Sequence, residues 1–346
     1  MTDALHLVSK RMEVPDSIEE VNDLYYQHGW TDGLPIFPPT EDRVDRMLLG
    51  TARKPQDSIG EIPPVWAEAT VEKIAINAVM AGCLPQYMPI ILTALEAMLE
   101  PQFNLYAVQT TTHPVAPLVI VNGPLVKALG VNAGYNVFGQ GSRANACIGR
   151  AIRLILLNVG GAIPGKLDRS TQGQPSKYTF CIAENEEQNP WKPLHVERGF
   201  DPSVSTVTVV AAENPHNIND HSSIDARGIL TTIVGTMKTQ GSNNLLYQRG
   251  EVVLALGPEH ASTIASSGFS KQNVMHFIFE NARVPKKDFS LKHQEERFPD
   301  FESDALIPMV CEEVAIMVIV AGGAGKHSSF CPNFGSSKSV TKQIQP

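Results

Sequence analysis

The spacing of apolar positions changes near residue 115, and that change divides the chain. Before it the spacing is helical. Val71, Ile74, Ala75, Ala78 and Val79 recur on one face and predict a helix over 70–81. Gly82-Cys83-Leu84-Pro85 breaks it, and a second helix follows until Pro101. Cys83 therefore stands at the corner of a helical hairpin. Nearer the start, a helix over 16–28 is capped by Asp16 or Ser17, with Glu19 and Glu20 where the helix dipole favours them. Residues 33–39 are extended, because proline and pre-proline positions exclude helix. Thr40 then caps a helix that ends near Gly50.

After residue 115 short apolar runs alternate with helical stretches. Leu118-Val-Ile-Val-Asn122 reads as a buried strand, and Gly123-Pro124 opens a short helix. Residues 251–256 followed by Gly257-Pro258 repeat that unit. Residues 178–185 and 207–214 also look alike, each a strand ending in Ala-Glu-Asn. Residues 314–320 form a further strand. The pattern predicts an α/β fold: an N-terminal helical segment, then an α/β core of two pseudo-repeated halves with a pocket where paired strand ends meet. The expected divisions are a mostly helical region over 1–112, the core over 113–330 and a surface tail over 331–346.

Composition narrows the partners. With 346 residues, 42% of them hydrophobic, the chain can bury a substantial core. Its net charge of −8 and unclustered basic residues argue against nucleic acid. The five cysteines are widely spaced and none forms C-x-x-C, which suits a reduced, cytoplasmic setting. The late apolar run over 314–321 is too short to span a bilayer, and no apolar signal core follows Met1. A homo-oligomer is expected for a chain of this size.

Chemistry concentrates in two Gly/Asn-rich loops. In Gly139-Gln-Gly141-Ser142-Arg143-Ala-Asn145 the glycines let backbone amides approach an anion, and the following helix presents free N–H groups. Arg143 adds a two-pronged contact, so Gly139, Gly141, Ser142, Arg143 and Asn145 are expected to bind substrate. The competing reading is a plain helix cap with its arginines paired to acidic neighbours. The second loop, residues 213–221, carries His216, Asp220 and His221. These can move protons, and His216 with His221 can ligate a divalent metal ion, although the spacing matches no compact metal signature. Here the competing reading is a set of helix caps.

Gly322-Gly-Ala-Gly-Lys-His-Ser-Ser329 is not a P-loop, because position 320 is valine and position 327 histidine. As a turn it still offers Lys326 and His327 as an acid–base or anion-contacting pair. Cys83, just before a helix N-terminus, is either a thiolate favoured by the dipole or a small buried hydrophobe. Three outcomes follow. The first is an enzyme acting on a small anionic substrate by acid–base or thiol-assisted chemistry, a lyase or a reductive cleavage. The second is a metal-dependent hydrolase or lyase using His216 and His221, and the third a non-catalytic scaffold subunit.

Several stretches together carry a resemblance: Thr31-Asp-Gly-Leu-Pro35, residues 71–83, Gly134-Tyr-Asn-Val-Phe-Gly139, Ala183-Glu-Asn-Glu-Glu187, Pro215-His-Asn-Ile-Asn-Asp-His221 and Gly257-Pro-Glu-His260. Over most of residues 30–330 the chain resembles long proteins associated with the UGSC-like (seleno)protein family, named for a Sec/Cys-Gly-Ser-Cys module. The resemblance implies a thiol- or selenol-linked enzyme system. No Cys-Gly-Ser-Cys occurs in this chain, so it implies a large subunit with the redox pair on a thiol or selenol partner, or a relative that uses acid–base chemistry.

Overall fold

The computed structural model describes residues 7–345. The N-terminal region is a helical layer with one small hairpin. Its elements are α1 (Ile18–Gln27), α2 (Glu41–Leu48), β1 (Ser58–Ile62), β2 (Ala67–Thr70), α3 (Val71–Met80), α4 (Met88–Met98) and α5 (Leu105–Thr110). Ser17 and Thr70 cap α1 and α3 through their side chains. Helix α4 is apolar almost all round and correspondingly buried.

The first half of the core contains β3 (Ala116–Asn122), α6 (Leu125–Leu129), α7 (Arg143–Asn158), β4 (Cys181–Ala183), α8 (Leu194–Glu197) and β5 (Thr206–Ala212). The second contains β6 (His216–Asn219), α9 (Ala226–Met237), α10 (Asn243–Tyr247), β7 (Val252–Leu256), α11 (Pro258–Ser266) and α12 (Lys271–Asn281). It continues through β8 (Arg283–Pro285), α13 (Leu291–Arg297), β9 (Leu306–Pro308), β10 (Ile316–Val320) and β11 (His327–Cys331). The chain ends with β12 (Val340–Gln343).

Two four-stranded sheets have the orders β12-β5-β3-β4 and β6-β11-β7-β10. In each, a central strand leading into Gly-Pro pairs parallel with one neighbour and antiparallel with the other. The repeat expected from the strand–Gly-Pro–helix unit is therefore present in β3 and β7. The Ala-Glu-Asn resemblance marks no repeat: it falls on β4 and β5, which flank β3 in the same sheet.

The halves exchange their edge strands. The chain leaves β5 and enters the other sheet as β6, antiparallel to β11. It leaves β11 and returns as β12, antiparallel to β5. The two crossings run side by side, with an antiparallel bridge between Ala212 and Asn333 and a bond from Glu213 N to Pro332 O of 2.8 Å. The segment from 331 is thus no surface tail. Val340 and Ile344 are buried, because the first sheet needs β12 to cover β5.

Strand alternation builds three apolar layers. Val119, Val121, Val207 and Val209 face the N-terminal helices and α7. Val252, Leu254, Val318 and Phe330 face α9, α11 and α12. Leu118, Ile120 and Val210 meet Val253, Ala255, Ile319 and Cys331 between the sheets. The molecule is a helix–sheet–sheet–helix sandwich. Each fully buried aliphatic side chain of the middle layer contributes about 1.5–3 kcal/mol. No helix among the described residues is long and apolar enough to cross a membrane.

Candidate active site

A cleft of about 420 Å³ opens where the middle layer meets solvent, beyond the C-terminal ends of β7 and β10. One wall is the loop Tyr135–Gly139; the other is the glycine turn Ala321–Gly325; Ala255, Asn217, His327 and Ser329 form the floor. The walls are tied together. Gly322 N donates to Ala133 O at 2.8 Å, Asn185 N to Val320 O at 2.7 Å, and Asn185 Nδ2 to Gly322 O at 3.1 Å. Gly323 lies directly under the Tyr135 ring, where a Cβ would collide with it.

His327 is the chemical centre of the cleft. Its Nδ1 is 3.0 Å from Asn217 Oδ1, and its Nε2 is 3.2 Å from His221 Nε2. The Asn217 oxygen can only accept, so Nδ1 carries the proton and Nε2 keeps its lone pair. Lys326 Nζ donates to His221 O at 3.1 Å and fixes the same corner.

A buried dyad supports this pair from behind. His260, 1% exposed, has Nδ1 2.8 Å from Ser328 Oγ and Nε2 3.0 Å from Asp220 O. The Asp220 carbonyl accepts from Nε2–H, so Nδ1 accepts from the Ser328 hydroxyl. Burial pushes the His260 pKa down, and the neutral ring holds this pattern. Ser328 precedes no gap: it adjoins His327, as Asp220 adjoins His221, so one imidazole anchors both neighbours of the pair.

The expected site residues divide among three places. His327 and Gly139 line the cleft, and His221 and Lys326 join His327 through hydrogen bonds without lining it. His216 does not join them. Residues 216–219 form an edge strand and not a loop, and alternation puts His216 on the side of Ile218, which packs toward α9, while Asn217 faces the cleft. The metal pair His216–His221 is therefore not assembled. Among the described residues no group of three or more His, Cys, Asp or Glu could hold a metal ion.

Asp220 is an anchor and not a proton carrier. Burial raises its pKa, but bonds from Ser222 N, Ser223 N, Ser223 Oγ and Thr232 Oγ1 outweigh that and bring it down to about 2. Ser142 and Asn145 are likewise occupied. Asn145 Oδ1 accepts from Asn132 N and Ser142 Oγ, and Asn145 Nδ2 donates to Asn132 O, which closes the loop on itself. Gly141, at φ +117°, makes the turn that precedes the cap.

Arg143 and Cys83 lie in a separate hollow of about 250 Å³ against the N-terminal helices. The Arg143 guanidinium donates twice to Gly82 O, at 2.9 and 3.2 Å. Cys83 is buried, and its thiol donates to Cys147 O at 3.2 Å. Burial, with neighbouring Cys147, pushes its pKa well up, and the nearby Arg143 does not restore it. The helix-dipole thiolate is thus corrected to a protonated core thiol. Arg143 and His216 share no cavity, and the expected single cleft joining them does not form.

Two participants are new: Asn217 and Ser328 sit on strands too short and polar to announce themselves. His260 stands in the Gly257-Pro-Glu-His260 stretch singled out in the sequence, but its partner Ser328 reaches it only through the non-local β11 pairing. No family model matches the chain, and no curated protein matches it in sequence.

Proposed function

We propose that the protein is an enzyme acting on a small anionic substrate by general acid–base chemistry in the inter-sheet cleft, as a lyase. The His327–His221 contact carries this reading. With Nδ1 held by Asn217, His327 offers Nε2 as an acceptor, and His221 Nε2–H is the adjacent donor. His327 Nε2 removes a proton, and the imidazolium so formed delivers it to the leaving group, with the His221 ring beside it as hydrogen-bond partner. No carboxylate lines the cleft among the described residues, and Lys326 follows directly on its glycine turn, which favours an anion. The position beyond the C-terminal ends of parallel strands is where open α/β sheets bind ligands. Cys331 lies buried behind the floor, so thiol-assisted or reductive chemistry would need a thiol or selenol from a partner subunit. Five free cysteines suit a reduced, cytoplasmic setting.

The test is solvent-deuterium incorporation, followed by proton NMR, across a panel of hydroxy- and oxo-carboxylates. His327→Gln should slow exchange of the responsive substrate by roughly 10²–10⁴-fold. Exchange at the wild-type rate in that variant would refute the role.

A second reading rests on the same 3.2 Å approach, which also suits two cis ligands of a divalent ion. The metal centre then shifts from His216 and His221 to His221 and His327. Close to one equivalent of metal, lost in either single-histidine variant, would favour it; undiminished exchange after chelation would reject it.

A further inference from the structure

The hollow on the far side of the Asn132–Ser142 loop is lined by Arg43, Arg46 and Arg143 over an apolar floor of Phe37, Met47, Val79 and Leu84. Some arginines of the molecule are neutralised: Arg150 holds Asp32 at 2.8 Å and Arg53 holds Glu96 at 2.5 Å. The three around the hollow are not. Arg43 donates to Pro38 O at 2.8 Å, Arg46 to Asp42 O at 3.1 Å, and Arg143 to Gly82 O. Among the described residues no carboxylate lies within ion-pair distance of any of them. Those carbonyl bonds aim the guanidinium groups but leave most of their N–H donors unused.

Arg43 and Arg46 stand three apart on α2 and so share a face. Arg143 begins α7, whose free N–H groups add to the positive potential. Three guanidinium groups without carboxylate partners line one hollow and concentrate positive potential there. The apolar floor adds a second requirement, because water there gains nothing.

We propose that this hollow binds a small organic oxyanion, its phosphate or carboxylate head on Arg43, Arg46 and Arg143 and its apolar body on Phe37, Met47 and Leu84. The head is met by planar forks that match two oxygens at once. Cys83 closes the floor as an uncharged thiol and would not repel the anion. The site is independent of the cleft. Gly139 lines one cavity and Arg143 the other, on opposite sides of one loop.

Isothermal titration of the full chain with phenyl phosphate, phenylacetate and inorganic phosphate tests this. At least one phenyl anion should bind at millimolar concentration or below, and more tightly than inorganic phosphate; the tighter of the two identifies the head group. Arg43→Gln/Arg46→Gln, exposed or half-buried changes on one helix, should weaken it at least about tenfold, and high salt should weaken it too. Arg143→Lys should weaken it while keeping the charge, since lysine lacks the fork. His327→Gln should leave the affinity unchanged, which separates failure here from failure at the cleft. No binding of either phenyl anion, equal affinity for inorganic phosphate, or indifference to the arginine substitutions would overturn the proposal. So would loss of binding in His327→Gln.

Discussion

The two halves of the core are built on sheets of the same design and differ at the strand ends. In each, a central strand runs into Gly-Pro, and that glycine is pressed against the strand that pairs antiparallel with it. A Cβ on Gly123 would strike Val204 O, and one on Gly257 would strike His327 O. Beyond that point the halves diverge. Gly123 N donates to Glu186 Oε1 at 2.7 Å, and Asn122 Nδ2 to Glu184 Oε2 at 2.7 Å. These long side chains, with the fully buried His195, close the first half. Register places Val320, Ala321 and Gly322 where the first half has Glu184, Asn185 and Glu186. Small residues leave the space empty, and the cleft is that space. One half of a duplicated frame therefore spends its strand ends on a sealed polar cluster, while the other keeps them open beside His327.

The largest expected effect tests whether the two glycines are equivalent. Gly123 has φ +87°, whereas Gly257, at φ −63°, is in ordinary territory. Gly123→Ala meets both a backbone clash and a left-handed conformation, and should cost upward of about 3 kcal/mol. Gly257→Ala meets only the clash and should cost about 1–3 kcal/mol. It also displaces the His327 carbonyl, so activity should fall in the second variant beyond what stability explains. Urea unfolding with the exchange assay on the surviving folded protein separates the two. Equal stability losses, with catalysis spared in both, would break the comparison.

Local pattern was enough to read much of this frame. Strands β3, β7 and β10 are continuous apolar runs, and the repeated Gly-Pro step pointed to duplication. The exchange of edge strands was not legible. Residues 216–219 read His-Asn-Ile-Asn and 340–343 Val-Thr-Lys-Gln, four-residue strands whose partners are fixed by distant pairing. Missing β6 as a strand placed His216 in the site, although alternation excludes it. Lys326 and His327 were legible because a glycine turn announces exposed backbone. Arg43 and Arg46 carried a signal, two arginines three apart on a capped helix, but their convergence with Arg143 depends on packing between α2, α3 and α7.

A smaller effect concerns the anchor under the open half. Asp220 is brought from 3.8 down to about 2 by its four hydrogen bonds. Its folded pKa is depressed, so the stabilisation is present above the unfolded pKa and lost as pH falls from about 4 through about 2. A shift of that size corresponds to roughly 2 kcal/mol. Asp220→Asn should lower stability by about that much at neutral pH and by little near pH 2. Denaturant melts at the two pH values check it. A penalty independent of pH would mean that the carboxylate charge is not what holds the His221 corner.

The smallest effect bears on the cleft wall. Tyr135 is 72% exposed, yet its ring covers Gly323, and the glycine's lack of a Cβ is what allows that contact. In Gly323→Ala the ring must swing off the turn, and because it is a surface side chain it can do so at little cost. Stability should change by less than about 0.5 kcal/mol. The wall of the cleft would move while His327, Asn217 and His221 stay in place. Ground-state binding should therefore weaken several-fold with kcat nearly unchanged, the signature of lost uniform binding. A fall in kcat with constant KM would place Tyr135 in the chemistry itself, and would mean that the open half recruits its first wall for more than shape.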